Sequence, residues 1–391
     1  MWLWRSKYRL FDRGGYRMEQ RQNLAPLTAM RFFAAAAIVV FHLHNNWGLP
    51  GPQDTGLMFG IGVNLFFVLS GFILAYTYRR IDGFDHAIKI VAYRVARIWP
   101  LHIAMLGLFY LLVYDASNPF HDIHKLWASV FLLQAWFGDY TYSFNGNPVA
   151  WTLSLELFFY LTFPLLTIMS SRWIVAITLL VTTLTLSWAF AVPVLSAPLD
   201  LPGTTAAGIV RMHPGSFFVL FAAGILACRM FISREWQIGP RAATVWEVLC
   251  LLFAGAYFLR NEQIAGSIAN FLHVGGIPAL WMQNAMGAVF FTPLIFVLAI
   301  GRGRLSQALS VRPLIILGEA SFAIYLLHLM VQDKAMAIGF ATPSDVPAYL
   351  CIVLVGSVAL NRYIEMPSNR YLRRKVDAWA DRRVVAARPV I

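Results

Sequence analysis

Residues 27–47 read LTAMRFFAAAAIVVFHLHNNW, an apolar run with Arg31 near its start and His42 near its end. A helix needs roughly 20 consecutive apolar residues to cross a hydrocarbon core about 30 Å thick. The run therefore predicts a transmembrane helix that carries ionisable side chains. Because such groups are costly inside a membrane, they usually face a cavity or a partner, and both residues are candidates for function.

The composition extends this prediction to most of the 391-residue chain. Hydrophobic residues make up 59% and charged residues only 13%, which excludes an ordinary soluble domain. We predict an all-α polytopic membrane bundle of about ten transmembrane helices. The predicted spans are residues 26–47, 57–78, 95–114, 150–170, 173–192, 210–230, 243–259, 283–300, 313–333 and 346–364. Residues 126–137 are apolar but too short to cross, and we predict a re-entrant or interfacial segment there.

The net charge of +12 raises the question of nucleic-acid binding. The basic residues, however, lie in short clusters between apolar segments, which is how a polytopic protein fixes its orientation in the bilayer. If residues 126–137 do not cross, all but four of the 31 Lys and Arg residues fall on one side. The four exceptions are Lys125, Arg211, Arg260 and Lys334. This asymmetry predicts that both termini are cytoplasmic, and it makes nucleic acid an unexpected partner.

The chain divides into three predicted parts. Residues 1–25 form a basic cytoplasmic leader that lacks the hydrophobic core and cleavage site of a signal peptide. Residues 26–365 form the membrane domain, and residues 366–391 form a basic cytoplasmic tail. The three cysteines lie in apolar stretches without CxxC or Cys/His spacing, so neither a disulfide nor a metal site is expected.

Arg31 and His42 share one helical face. Eleven residues of helix give about 1100° of rotation, about 20° from whole turns, and a rise of about 16 Å. A lone histidine in a helix is more often a satisfied core residue, but its position in a membrane span favours function for His42. His44 points nearly the opposite way, and we predict an interfacial position for it.

Arg94 and Arg97 stand three residues apart in RVARIWPLH and are therefore neighbours on one helical face. Anchoring at the cytoplasmic side would explain most such arginines. A guanidinium pair at the mouth of a helical bundle also suits the phosphates of a cofactor, which it binds bidentately. Both interpretations remain open at this point.

Glu156 lies about two turns into the apolar helix predicted from WTLSLELFFYL. A carboxylate at this depth must be paired, protonated or functional. Tyr160, four residues later, shares its face and is a candidate structural partner.

Ser321, Tyr325, His328 and Gln332 follow i, i+4, i+7, i+11 spacing, which predicts one polar stripe on an apolar helix. Such a stripe either joins helices or lines a site. Arg211 lies near the predicted outer end of another span, where a substrate from outside would arrive, or where an interfacial anchor would sit.

Six segments, taken in order, resemble the membrane acyltransferase 3 family over nearly the whole chain. They are LTAMRFFAAAAIVVFHLHN with Arg31 and His42, GVNLFFVLSGFIL with Ser70, RVARIWPLH with Arg94 and Arg97, WTLSLELFFYL with Trp151 and Glu156, SFAIYLLH with Tyr325 and His328, and EMPSNRYLRR with Glu365 and Arg370. The last segment departs from the pattern, because many members have Phe after the proline.

The resemblance implies transfer of an acyl group, most commonly acetyl, from cytoplasmic acyl-CoA to a saccharide hydroxyl. The acceptor would be a bacterial polysaccharide or lipid-linked glycan, and the location a bacterial inner membrane. Acetyl-CoA would be the donor substrate, without a metal. The implied roles are catalysis for His42 and Glu156; acyl-CoA binding for Arg31, Arg94 and Arg97; and acceptor binding or support for Ser70, Trp151, Tyr160, Arg211, Tyr325 and His328.

Three alternatives stay open. One is an acyltransferase that acts on a macrolide-like small molecule, another is a proton-coupled transporter that uses the same buried His, Glu and Arg residues, and the third is a structural or regulatory membrane protein. Many relatives append a soluble SGNH-type esterase-fold domain. We expect this chain to complete its chemistry in the membrane bundle or with a separate partner.

Overall fold

The computed structural model describes residues 24–47 and 61–386, and this part of the chain is helical, without β-strands. The predicted leader up to residue 23, residues 57–60 of the second predicted span and the last five residues of the tail lie outside the described residues.

The described α-helices are α1 (Ala25–Trp47), α2 (Gly62–Thr77), α3 (Phe84–Leu112), α4 (Leu126–Val130), α5 (Tyr140–Ser143), α6 (Trp151–Ile168), α7 (Ser171–Ala191), α8 (Ala206–Met212), α9 (Pro214–Ile232), α10 (Pro240–Phe271), α11 (Gly276–Ala285), α12 (Gly287–Ile300), α13 (Arg304–Leu309), α14 (Arg312–Glu319), α15 (Ser321–Ala337), α16 (Val346–Leu360) and α17 (Met366–Ala386). Short 3₁₀ turns occur at Pro119–His121, Ile123–Lys125, Gln134–Trp136, Pro148–Ala150 and Pro343–Asp345, and a π-helical turn, Asn361–Glu365, joins α16 to α17.

Within the described residues, eight helical segments are long and apolar enough to cross a membrane. They are Ala25–Trp47, Phe84–Leu112, Pro148–Ile168, Ser171–Ala191, Ala206–Ile232, Pro240–Phe271, Gly276–Ile300 and Pro343–Arg382. The bent pair α14 and α15 makes a ninth, and α2 is a shorter apolar helix. Each predicted span coincides with one of these segments, which confirms the polytopic helical bundle.

The boundaries of several spans differ from the prediction. α3 begins at Phe84 rather than at residue 95, because its charged first turns pack on α17, where Lys89 forms a 2.7 Å ion pair with Asp377. α10 continues to Phe271 past a break at Arg260. Hydropathy marks only the apolar part of a helix, whereas packing between helices supports turns that lie beyond it.

Two predicted spans are broken rather than straight. The span predicted at 313–333 consists of α14 and α15, which meet at an angle of 62°. The span predicted at 210–230 breaks at His213, because the proline that follows disfavours helical geometry in the residue before it.

Residues 126–137 do not cross the bundle, as predicted. They form α4, a turn in which Leu132 has a φ of 58°, and a 3₁₀ turn. Two buried polar contacts attach residues 126–137 to the helices around them. A ring nitrogen of His102 lies 2.8 Å from the Ser129 carbonyl oxygen, and Gln134 donates to the Ala150 carbonyl at 2.8 Å. We call the end of the bundle that carries this connection and His42 the outer end.

Helices α2 and α9 approach each other closely at two glycines. A Cβ atom added at Gly71 would lie 2.1 Å from the Phe221 carbonyl oxygen, and one added at Gly224 would lie 2.1 Å from the Val68 carbonyl oxygen. Small residues at a helix interface allow such backbone contact in membrane bundles. The absence of a side chain at Gly71, which follows Ser70 in GVNLFFVLSGFIL, is therefore explained by the close packing of α2 on α9.

We predict that Gly71→Ala lowers the free energy of unfolding by about 1–3 kcal/mol or more, because the methyl group overpacks the backbone contact with α9. Thermal unfolding of the detergent-purified protein measures the effect. Gly107→Ala on α3 is the matched control, since an added Cβ there meets no atom within 4 Å. Equal melting temperatures for the two variants would contradict the proposed close approach.

Candidate active site

The outer half of α1 lies against α15. The ring centroids of His42 and His328 are 5.2 Å apart. Gln332 donates to the backbone carbonyl of His42 at 3.0 Å, and Asn46 donates to the Gln332 side-chain oxygen at 3.2 Å. The fold thus brings together two of the residues that the sequence marks as candidates, from opposite ends of the chain.

All members of the predicted polar stripe on α15 are buried: Ser321, His328 and Gln332 are 0% exposed and Tyr325 is 7% exposed. Tyr325 donates its hydroxyl proton to the Val149 carbonyl at 2.7 Å and accepts from the Thr152 hydroxyl at 3.1 Å. The Tyr325 hydroxyl therefore uses its proton and one lone pair in hydrogen bonds that connect α15 to the start of α6.

The imidazole of His328 has two distinct nitrogens. Nδ1 lies 2.7 Å from the Tyr325 carbonyl oxygen and 3.2 Å from that of Ile324. Carbonyl oxygens only accept hydrogen bonds, so Nδ1 carries the proton in the neutral ring. Nε2 is buried and has no hydrogen-bond partner among the described residues. His328 thus holds an unused lone pair inside the bundle, beside His42.

A charged cluster occupies the interior nearer the other end of α1. Arg31 interacts electrostatically with Arg97, Glu365, Glu156 and Tyr160. Arg94, which is 9% exposed, interacts with Arg97 and Tyr160 and stacks its guanidinium over the Tyr78 ring at 5.1 Å. The structure therefore gathers the three arginines predicted to bind acyl-CoA into one cluster.

Glu156 lies between this cluster and the histidine pair. Its carboxylate accepts a 2.5 Å hydrogen bond from the Tyr160 hydroxyl. It interacts electrostatically with Arg31 in one direction and with Tyr325 in the other. The half-buried carboxylate is thus paired, and it interacts with residues of both polar regions.

Two more carboxylates complete the charged cluster. Glu365 accepts from Asn361 at 2.9 Å and interacts with Arg97, Arg31 and Glu319. Glu319 ends α14 at the bend and interacts with Arg97 and Arg31. The sequence analysis missed Glu319, because a carboxylate at a helix end is typical of a solvated surface. Glu365, which the sequence analysis names, lies in a π-helical turn, and such turns are frequent at functional sites.

The other candidate residues, Arg211, Trp151 and Ser70, are not among the contacts described for the charged cluster or the histidine pair. Arg211 is exposed and interacts electrostatically with Tyr140 in the outer connection. Burial raises the pKa of the Tyr140 hydroxyl, and the charge of Arg211 opposes that shift. Trp151 packs against Phe217, with ring centroids 5.7 Å apart, and Ser70 is half-buried on α2.

Two cavities lie outside this polar interior. An apolar groove of about 1130 Å³ runs between α3, α6 and α17. A polar cavity of about 370 Å³ in the outer connection is lined by Tyr114, Asp122, Lys125 and Asp200, among others. Neither includes a candidate residue from the sequence analysis.

We predict that Tyr160→Phe lowers the free energy of unfolding by about 1.5–3 kcal/mol, because the Glu156 carboxylate loses a charge-assisted hydrogen bond. Thermal unfolding in detergent is the measurement. Tyr363→Phe removes a hydroxyl from a side chain that is 75% exposed and serves as the control. If both variants melt like the wild type, the Tyr160 hydroxyl does not stabilise Glu156.

The acyltransferase domain family matches residues 25–362. The chain is similar to the acyltransferase MdmB of Streptomyces mycarofaciens, with 26% identity over 90% of this chain and 93% of that protein. It is also similar to nodulation protein 10 of Rhizobium leguminosarum bv. viciae, with 28% identity over 80% and 83%. The O-acetyltransferase OatA of Staphylococcus aureus is 23% identical over 90% of this chain and 58% of OatA.

No solved structure matches the chain. The family match covers most of its length, including the helices that carry the charged cluster and the histidine pair. The chain therefore belongs to the acyltransferase 3 family and is a multi-pass membrane acyltransferase.

Proposed function

We propose that this protein moves an acetyl group from acetyl-CoA to a saccharide hydroxyl in a bacterial inner membrane. The observation that carries the proposal is the layout of α1. This one helix holds Arg31 in the charged cluster and His42 in the histidine pair. The two residues stand about 16 Å apart along its axis.

The charged cluster suits the nucleotide end of acyl-CoA. Three guanidinium groups concentrate positive charge, and guanidinium binds phosphate oxygens in a bidentate geometry. Glu156, Glu319 and Glu365 interact electrostatically with these arginines and offset part of their charge. The arginine-rich end faces the cytoplasm in the predicted topology, and that is where acyl-CoA is available.

The rise of about 16 Å between Arg31 and His42 is comparable with the length of a pantetheine arm. The thioester would then reach His42 while the nucleotide stays at the arginines. His42 acts as a general base that takes the proton of the acceptor hydroxyl. The hydroxyl oxygen attacks the thioester carbon, the C–S bond breaks as the C–O bond forms, and the proton passes to the leaving sulfur.

A saccharide acceptor is supported by the outer end of the molecule. His42 is half-buried there, so a hydroxyl group from the outer side or from the bilayer can approach it. The outer connection also has a polar cavity with two carboxylates and a tyrosine ring, groups that bind sugar hydroxyls and sugar faces. One relative, OatA, is an O-acetyltransferase by name.

We expect purified wild-type protein to release thiol from acetyl-CoA when lipid-linked glycans from the host are added. His42→Ala should lower this rate by about 10²- to 10⁴-fold, the usual contribution of a general base. His44→Ala, two residues along the same helix, is the control and should keep the activity. Retained activity in His42→Ala would rule out His42 as the general base. Movement of glycan across the membrane without thiol release would favour a transporter.

We further expect Arg97→Ala to raise the KM for acetyl-CoA by about 10- to 100-fold, because a charge-assisted contact to phosphate is lost. The KM for acetyl-pantetheine, which lacks the nucleotide, should stay unchanged. Arg172→Ala removes an exposed arginine from the same predicted side and serves as the control. An equal loss with both donors would show that Arg97 does not bind the nucleotide end.

A further inference from the structure

Nε2 of His328 is one of twelve buried side-chain polar atoms that have no hydrogen-bond partner among the described residues, and it is distinguished by its place beside the His42 ring. A buried polar atom without a hydrogen bond costs free energy, so a ligand, a water molecule or a neighbouring group is expected to pair with it. Nε2 of His328 is such an atom, in a side chain that is 0% exposed.

The rest of the His328 ring is held firmly. Nδ1 is bound to backbone carbonyl oxygens, which determines which nitrogen keeps the proton. The His328 backbone carbonyl accepts from the Tyr349 hydroxyl at 3.0 Å, which joins this turn of α15 to α16. These contacts fix the orientation of the His328 ring, and with it the position of the Nε2 lone pair.

The group that this lone pair can serve is His42. The two ring centroids lie 5.2 Å apart. Each imidazole nitrogen sits about 1 Å from its ring centroid, so this separation fits an N–H···N hydrogen bond of about 3 Å after a small ring rotation. Gln332 donates to the His42 backbone carbonyl, a contact that holds this turn of α1 and does not involve the His42 ring.

An acceptor substrate would meet His42 before His328. His42 is half-buried, whereas His328 is completely enclosed. His328 can therefore influence a reaction at the outer end through His42 rather than by touching the substrate.

We propose that His328 is the positioning residue for His42: its Nε2 accepts the N–H of one His42 nitrogen and so keeps the other His42 nitrogen unprotonated towards the acceptor hydroxyl. This inference rests on the proposed function of His42 as the base. When His42 takes the hydroxyl proton, His328 accepts a hydrogen bond from the resulting imidazolium. The proton then leaves with the sulfur of the broken thioester, and His328 ends the cycle unchanged.

The test uses two isosteres. The amide of glutamine occupies the place of Nε2, and the amide of asparagine occupies the place of Nδ1. His328→Gln therefore keeps an acceptor towards His42, whereas His328→Asn keeps only the contact with the backbone carbonyls. His102→Gln is the control, because His102 is also buried, at 1% exposure, and also binds a backbone carbonyl.

The first readout is kinetic, with full-length protein, acetyl-CoA and host lipid-linked glycans. We expect His328→Asn to lower kcat by at least tenfold, with the KM for acetyl-CoA within twofold of wild type. His328→Gln should stay within about threefold of the wild-type kcat, and His102→Gln should match the wild type. Equal losses in the Asn and Gln variants, in step with lower melting temperatures, would mean that His328 is structural and would overturn the proposal.

The second readout does not depend on the acyl donor or acceptor. Diethyl pyrocarbonate reacts with an unprotonated imidazole nitrogen, and peptide mass spectrometry gives the rate at His42. His328→Asn should slow this modification about tenfold, and His328→Gln should restore it. An unchanged rate in His328→Asn would overturn the positioning role. If the wild type releases no thiol while this reactivity pattern holds, the proposed function fails and the histidine pairing stands.

Discussion

Polar groups in a hydrocarbon layer have no water to bind, so each must find a partner inside the protein or face a cavity. That constraint determines how the central helices of this bundle pack. Gln332 reaches the His42 carbonyl, Tyr325 reaches the Val149 carbonyl, and Glu156 reaches Tyr160. The first two contacts join α15 to α1 and to the turn before α6, the third lies within α6, and all three involve residues of the candidate site.

Polar groups of the candidate site are distributed from one end of α1 towards the other. They start at the arginine cluster, include Glu156 and end at His42 and His328. Under the proposed function, this arrangement separates the two substrates: the phosphates of the donor are bound at the arginines, and the acceptor hydroxyl arrives at the histidines. The Nε2 of His328 is a buried atom whose hydrogen-bonding capacity the described residues leave unused.

Hydropathy located every span but not every boundary. The early start of α3 depends on the ion pair between Lys89 and Asp377, which lie far apart in the sequence. The 62° bend between α14 and α15 places Glu319 beside the arginines, and no local pattern marks that bend. The charge asymmetry, by contrast, identified 126–137 as a segment that does not cross, because a wrong assignment would have inverted every later loop.

The sequence alone determined the class of the protein, its helical bundle and the placement of Arg31 and His42 on one face of one helix. Those properties follow from the apolar content of each segment and from the local period of the α-helix. The tertiary structure decided that His328 stands beside His42 and that Glu156 connects the arginines to them. It also decided the close contact at Gly71 and Gly224. Helix period is a property of neighbouring residues, whereas a contact such as Gln332 to His42, 290 residues apart, depends on how all the helices pack at once.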